Sequence, residues 1–512
     1  MKKILFLFLV IPLYLKGQVS INTTGASPDA SAMLDVSSTA HGILIPRLTS
    51  VDRDAIGTPP ISLMIFNITT NTYNYWNGTA WISMAAGNIK ELADADLDTK
   101  VEVEKNPDED LIRMSIAGTE KLRLESKGLQ TFFPGGTLAI GSGAGLADDG
   151  TTNNNTFIGV NAGNANTSGA SNTFVGQGAG DLNTTPSNNT FIGKDAGGAN
   201  IVGTGNTFVG QGAGDVNTGS VNTFIGKDAG GGNLGGVSNT FIGNRAGAGN
   251  TSADNNVFIG MDAGLSNSTG TSNTFVGQGA GDANVGASDN TFMGKDAGGA
   301  NTSGTANTFM GQGSGDVNST ASNNTFIGKN AGGANTTGAS NTFLGTDAGL
   351  ANITASDNTF IGRSAGVNST APNNTFVGSN SGQTNTTGTL NVFIGSGAAG
   401  NNSSGNRNEV IGVGAGENMN TGSDNILLGY LAGFNTDTAS QNVIIGTNAG
   451  EENLVSGNIF IGHHAGLINT TGRSNTFIGL RSGDANTTAH DNTFIGADAG
   501  GANVSGTANT FV

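Results

Sequence analysis

Three aspartates at alternate positions, Asp94, Asp96 and Asp98, have the spacing in this chain that comes nearest to a ligand set. Carboxylates two residues apart are how the start of an EF-hand loop presents oxygens to calcium. The match stops there, because Thr99 stands where that loop needs glycine and Lys105 where it needs glutamate. The plainer reading of the three is a solvated acidic turn. A second calcium-like pattern, Gly176-Gln177-Gly178-Ala179-Gly180-Asp181, returns as Gly210 to Asp215 and Gly277 to Asp282. Calcium-binding nonapeptide arrays need consecutive copies so that adjacent turns share an ion. Here the intervening segments carry Lys194-Asp195, Lys227-Asp228 or Lys295-Asp296, which read as surface charge. The Gly-x-Gly-x-Gly run also imitates a phosphate loop, but no helix follows it and no Lys-Ser/Thr closes it. His463 and His464 share one turn while His41 and His490 lie far off, so no convergent metal set forms. No Ser-His-Asp or paired-Glu arrangement stands out, and the absence of cysteine removes thiol catalysis, zinc-thiolate sites and disulfides. The expectation is therefore no enzyme and no cofactor, with calcium at Asp94, Asp96 and Asp98 as the one metal reading.

The elements that must position all of these residues are set by one recurring stretch. Asn172-Thr173-Phe174-Val175-Gly176 returns at Asn189, Asn206, Asn222, Asn239 and onward to Asn509, with starts 17 residues apart and occasionally 16. About 21 full copies run from Asn155 to Ala508, followed by a fragment. A fixed short period marks a repeat architecture. Thr-Phe-Ile is aromatic and β-branched and favours a strand, and the Gly, Asn, Ser and Thr around it supply turns. No single coil can bury its own apolar side chains, so stacked coils must supply the core, Phe over Phe and Ile over Ile. The fold expected is all-β: a parallel β-solenoid or β-roll of about 21 coils of 17 residues, preceded by a small β module. At ~4.8 Å per coil the rod is roughly 100 Å long.

Successive strand residues point to opposite faces. Phe174 and Val175 therefore part company, as do Phe191 and Ile192. One ladder lines the inside of the coil. The other makes a long apolar stripe outside, which soluble monomers avoid. That stripe is expected to be buried against other chains, three around an axis, with the Gly/Asn turns left in water. The alternative is a wide coil that bends at the Gly and tucks both ladders inside.

The repeats resemble the head repeats of trimeric autotransporter adhesins, left-handed parallel β-rolls built on an Asn-Ser-Val-Ala-Ile-Gly type motif. The first, degenerate copy, Gly136-Thr137-Leu138-Ala139-Ile140-Gly141, comes closest. Later copies are one residue shorter before the Gly, and their period is longer than that family's. The likeness covers about three quarters of the chain and implies a β-roll and a homotrimer.

The remainder divides into three expected segments. Residues 1–17 read as a secretory signal, with Lys2 and Lys3 before the apolar run Ile4 to Leu15, too short to span a membrane. Residues 18–90 read as a small β module, in which Asn77-Gly78 between Tyr73, Tyr75, Trp76 and Trp81 signals a hairpin. Its Ala32-Met33-Leu34-Asp35-Val36, Gly42-Ile43-Leu44-Ile45-Pro46-Arg47 and Tyr75-Trp76-Asn77-Gly78 stretches resemble the N-terminal module of secreted bacterial proteins related to phage tail fibres. Residues 91–135 read as a charged β connector. In it Val101, Val103, Leu111, Ile112, Met114, Ile116, Leu122 and Leu124 alternate with polar residues, and Asn106-Pro107-Asp108 and Ala117-Gly118-Thr119 form turns. Residues 136–512 are the rod, which stops in mid-motif at Val512, so the sequence reads as a fragment.

Charge bounds the partners. The net charge is −17, and from Gly136 onward there are 9 basic and 23 acidic residues, so nucleic acid and anionic membranes are poor partners. No segment is apolar enough to cross a bilayer as a helix. Repetition also argues against catalysis, because a catalytic site is unique while nearly every coil here is the same. The function expected is a secreted, surface-associated fibrous adhesin or structural stalk. It would be trimeric and would meet an extracellular surface or glycan by multivalent contact. Two alternatives stay open: a flat-faced binder of a repetitive surface such as ice or polysaccharide, argued from Thr156, Thr173, Thr190 and Thr207, and a phage tail-fibre-like structural protein.

Overall fold

The computed structural model describes residues 17–84, 91–103, 112–125, 128–131 and 134–512. The leader expected over residues 1–17, apart from Gly17, lies outside them, as do Lys105, Leu111 and the turn expected at Asn106-Pro107-Asp108. The chain divides into two compact units, Met1–Gln130 and Thr131–Val512.

In the first unit, β1 (Val19–Asn22) pairs in parallel with β2 (Leu34–Ser37). A second sheet has the order β3 (Arg47–Leu48), β4 (Met64–Asn67), β5 (Thr72–Trp76), β6 (Trp81–Met84). The hairpin signalled by Asn77-Gly78 is there, with Trp76 opposite Trp81. Its loop has four residues, and Asn77 Oδ1 accepts the N–H groups of Thr79 and Ala80. Helix α1 (Ser50–Asp54) is capped by Thr49, which accepts Asp52 N–H. A third sheet runs in chain order through β7 (Glu91–Ala93), β8 (Lys100–Val103), β9 (Ile112–Ile116), β10 (Thr119–Glu125) and β11 (Gly128–Thr131).

The second unit is a parallel β-solenoid. Its strands β12 (Leu138–Ile140) to β34 (Thr510–Phe511) form one 23-stranded sheet in strict chain order. The count is the 21 expected copies plus the degenerate first copy and the partial last one. Each coil gives one three-residue strand and returns through turns. Register is uniform, with Phe174 opposite Phe191 and Phe191 opposite Phe208. The turns are also paired from coil to coil, as in Gly163 N–H to Ala179 O at 2.9 Å and Thr167 N–H to Thr184 O at 2.8 Å. Backbone polar groups thus find partners outside the strand as well as in it.

The core is a set of ladders. Phe rings from Phe174 to Phe393 stack at centroid spacings of 4.7 to 4.9 Å, the separation of neighbouring strands. They are wholly buried, with the Ala162, Ala179 and Ala196 column beside them. The Gly after that Ala is compulsory: Gly247 has φ +59, and a Cβ there would lie 2.5 Å from the Phe241 ring. The Gly ending each strand is equally constrained, since a Cβ on Gly243, at φ +138, would lie 2.4 Å from Gly260 O.

The asparagines are not in water, contrary to the expectation for the turns. From Asn155 to Asn492 the Asn opening each strand is buried and faces inward with the residue two positions on, Phe in most coils. Asn256 N–H donates to Asn239 Oδ1, its Nδ2 donates to Gly270 O, and its Oδ1 accepts Asn273 N–H, each at 2.9 Å. A second buried ladder runs through Asn250, Asn267, Asn284 and Asn301, where each Nδ2 reaches the previous Oδ1. Apart from Asn183 Nδ2, Asn335 Oδ1, Asn352 Nδ2 and Asn358 Nδ2, the buried amides of these chains satisfy one another, which is the condition for burying them at all.

Departures from the repeat are compensated locally. Three coils are 16 residues long, yet Thr207 still pairs with Thr223, Thr359 with Thr375 and Val443 with Ile459. The missing residue always falls between the two Asn columns. Asn217 and Asn222 are five apart where Asn183 and Asn189 are six, so the inner ladders keep register. Where Val410 replaces the bulkier Phe, Met419 replaces the second-column Asn and is wholly buried. A flexible thioether restores the lost volume.

Candidate functional site

The outer face of the 23-stranded sheet repeats from coil to coil along the second unit. Thr and the fourth-position residue flank the buried Phe and therefore point outward together. Ile192, Ile225, Met293 and Leu344 stay open to solvent, at 39%, 38%, 40% and 42% exposure. The fourth-position ladder is thus outside the coil, and the wide coil enclosing both ladders is not formed. The Thr column beside it is broken. Val257, Val392, Glu409, Ile426, Val443 and Ile459 occupy its place, five of them in consecutive coils. A lattice-matching face needs its hydroxyls in unbroken register, so these coils weaken the flat-surface reading.

The turn after each strand forms a second surface. Coils with Gly178, Gly212, Gly279 or Gly313 carry Asp181, Asp215, Asp282 or Asp316 three residues later. Neighbouring coils reverse the order, as in Asp195 with Gly198 and Asp296 with Gly299. The alternation is steric as well as electrostatic. A Cβ on Gly178 would lie 2.6 Å from Asp195 Oδ1, and one on Gly198 would lie 2.8 Å from Asp215 Oδ1. Partial burial holds the Asp215 carboxyl above its usual range, and the negative charges of Asp195 and Asp228 add to the shift while Lys194 opposes it. Burial raises Asp181, Asp282 and Asp316 in the same way. Lys194 and Lys227 pair with the adjacent Asp195 and Asp228, as surface charges do.

Asp94, Asp96 and Asp98 sit in the turn between β7 and β8, all exposed, with one carboxylate oxygen of each within 4.8 Å of the others. Burial raises Asp94, but hydrogen bonds from Thr99 and Asp96 outweigh it and leave its carboxyl below the ordinary value. Thr99, in the position where an EF-hand loop needs glycine, donates its N–H to Asp94 Oδ1 at 3.2 Å. The three oxygens are close enough to share a cation, and the Thr99 bond also closes the turn without one. His463 and His464 lie ring to ring at 3.9 Å in one coil, and His490 pairs with Asp491. Among the described residues no other cluster of metal-ligating side chains forms, and no helix is long and apolar enough to cross a membrane.

Comparison with known families gives one match. Residues 20–99 fit the family described as the phage tail like trimerisation region. No curated protein and no solved structure matches the chain. The matched stretch covers the first two sheets and the Asp94 turn. It supports a tail-fibre-like trimeric repeat protein, and it does not reach the solenoid on which the autotransporter-adhesin resemblance rested.

Proposed function

We propose that this protein is a trimeric, tail-fibre-like structural fibre. Three chains are joined through residues 20–99, and each carries a β-solenoid arm. The observation that carries the reading is the presence, in one chain, of a match to a trimerisation region and a 23-stranded solenoid. The repetition supports a role by contact rather than by catalysis, since almost every coil offers the same faces. Three arms bearing weak, repeated contacts gain avidity that no single coil has. On this reading the fibre is a secreted, surface-associated stalk or adhesin that meets an extracellular surface or glycan along its length.

Light scattering on the mature chain tests the trimer and should return three times the mass of one chain. Retention on a panel of immobilised extracellular glycans and cell surfaces tests the adhesin. Retention should fall steeply when the trimer is dissociated. A folded monomer at micromolar concentration would remove the basis of the reading.

A further inference from the structure

The described residues of the first unit make little core. Among its described residues Ile65 is the one buried apolar side chain, while Val19, Ile21, Met33, Leu34, Ile43 and Leu44 are all more than half exposed. A unit of this size needs a buried apolar centre to offset the entropy of ordering its chain.

The sheet β3–β6 shows where that centre is missing. Its two faces differ. One carries Ile65, Asn67 and Asn74, all buried, and is covered by α1. There Arg53 Nη1 donates to Asn74 Oδ1 at 3.3 Å, its guanidinium lies 5.9 Å from the Trp81 ring, and Ser50 bonds Asn67. The other face follows from the register, which sets Met64 opposite Tyr75, Phe66 opposite Tyr73, Tyr73 opposite Met84 and Tyr75 opposite Ile82. All six side chains are apolar or aromatic, and none is buried: Met64 is 40% exposed, Tyr73 47%, Ile82 37% and Met84 49%. Beside them Leu44, Ile45 and Arg47 rim an open hollow of about 160 Å³ against Phe66 and Tyr73. An open face of this kind, rich in Tyr, Phe and Met, has the composition of an interface centre. The β1–β2 ribbon has the same defect. It is a two-stranded parallel sheet whose Val19, Ile21 and Leu34 are 52%, 58% and 56% exposed, and parallel pairs are normally covered on both faces.

We infer that the face Met64, Phe66, Tyr73, Tyr75, Ile82 and Met84 is the seam of the trimer. It packs against the same region of two further copies, so that the three chains build one shared core. This rests on the trimeric reading above, and the occupant is taken from the trimerisation region that spans the face. None of the six side chains brings a charge into the seam. Arg47 stands beside them on the edge strand, its guanidinium 5.5 Å from the Phe66 ring, and it can stay at the rim with the tyrosine hydroxyls.

The chain has no cysteine, so single cysteines report on the seam cleanly. Ile82 and Ser83 are neighbours on opposite faces of β6, and both are exposed. Full-length Ile82→Cys and Ser83→Cys are treated with a short bismaleimide at low protein concentration, and the mass of each untreated protein is measured by light scattering. The inference expects a trimeric mass for the wild type and several-fold more inter-chain product from Ile82→Cys than from Ser83→Cys. Ile82→Arg should lower the mass threefold while Ser83→Arg leaves it unchanged. A trimer that cross-links equally from both positions, or mainly from Ser83→Cys, overturns the seam and leaves the trimeric reading standing. A wild-type chain of single mass overturns both.

Discussion

Changing Asn256 to Asp tests whether the buried asparagine ladder holds the coils together. The two side chains have the same shape, so no cavity opens and only the hydrogen-bond chemistry changes. Asn256 donates to Gly270 O and accepts Asn273 N–H, both at 2.9 Å. An ionised carboxylate in its place keeps the second bond but sets a negative oxygen against the Gly270 carbonyl. Leaving that carbonyl unpaired costs about 1–3 kcal/mol, and burying the charge adds several more. The total is capped, because the side chain can take up a proton instead. With an unfolded carboxyl near pKa ~3.9 and about 1.36 kcal/mol per unit, protonation at pH 7 costs about 4 kcal/mol. The expected loss at pH 7 is therefore about 2–4 kcal/mol.

The sign with pH follows from the same groups. The folded pKa of the introduced carboxyl is raised above its unfolded value. The variant's stability is accordingly intact below the unfolded pKa and lost as pH rises through the folded one. Near pH 4 the neutral acid can donate to Gly270 O again, and the deficit should shrink toward zero. Urea titrations of wild type and Asn256→Asp, followed by far-ultraviolet circular dichroism at pH 7 and pH 4, measure both quantities. A deficit below about 1 kcal/mol at pH 7, or one that does not change with pH, would refute the ladder as a main support of the rod.

Four further outcomes follow from the coil geometry. Gly247→Ala should cost at least about 2 kcal/mol in thermal melts, because φ is +59 and the Phe241 ring fills the space, whereas Gly235→Ala, with nothing within 4 Å, should be neutral or slightly stabilising. Ser369→Asn should stabilise the rod by about 1 kcal/mol, since Ser369 interrupts the second Asn column and an Asn there would donate its Nδ2 to Asn352 Oδ1 as its counterparts do one coil to the next; Asn217 and Asn453 already occupy the same place in the other 16-residue coils, and an unchanged melt would show that the break is harmless. Replacing Asp181, Asp215, Asp282 and Asp316 together by Asn should flatten the pH dependence of melting: their carboxyls are raised in the folded rod, so their contribution is present at low pH and lost as pH rises through the folded values, and a wild-type rod that melts no higher near pH 4 than at pH 7 counts against it. Ile225, Ile242 and Ile259 changed together to Asp should leave β-type circular dichroism in place, because these side chains lie outside the coil and Ile225 and Ile259 are 38% and 36% exposed; outright unfolding would mean that the outer column is core.

The strand, its period and the opposed Phe and Ile ladders were legible because they obey two rules that need no coordinates, repetition and alternation. The same alternation also placed Asn172 on the face of Phe174, two residues on. Its polarity and its company of Gly and Thr point to a turn instead. The recurring Asn at one strand position was the available signal, since a solvated turn tolerates Ser, Asp or Gly equally. The second column, Asn183 and its kin, recurs in nearly every coil as well, but recurrence alone does not say where those side chains point. It lies in a turn where strand alternation does not apply, and only the stacked coils bring each amide to the next. The Gly178 and Asp195 interlock was half visible as a two-coil pattern, but its steric reason needs the Cβ position. In the first unit, Asn77-Gly78 marked the hairpin, and the faces of β4–β6 follow from alternation once the register is known.

The two units meet the cost of burial in different ways. In the solenoid every coil completes its neighbours: Phe, Ala and two Asn columns are buried within one chain, while the fourth-position column stays open to solvent. In the first unit most of the described apolar side chains stand outside, and in the seam proposed above other copies bury them. Stability of the solenoid is then a sum over coil-to-coil contacts, while on the proposed seam association is decided once, at the first unit. Arm length can change by whole coils, about 4.8 Å at a time, without touching the surface that joins the chains. The three 16-residue coils point the same way, for they show that even a lost residue is absorbed between the Asn columns while strand register is kept. Length of the solenoid and the proposed seam thus lie in different parts of the chain, and a repeat that absorbs a lost residue lets the one vary without the other.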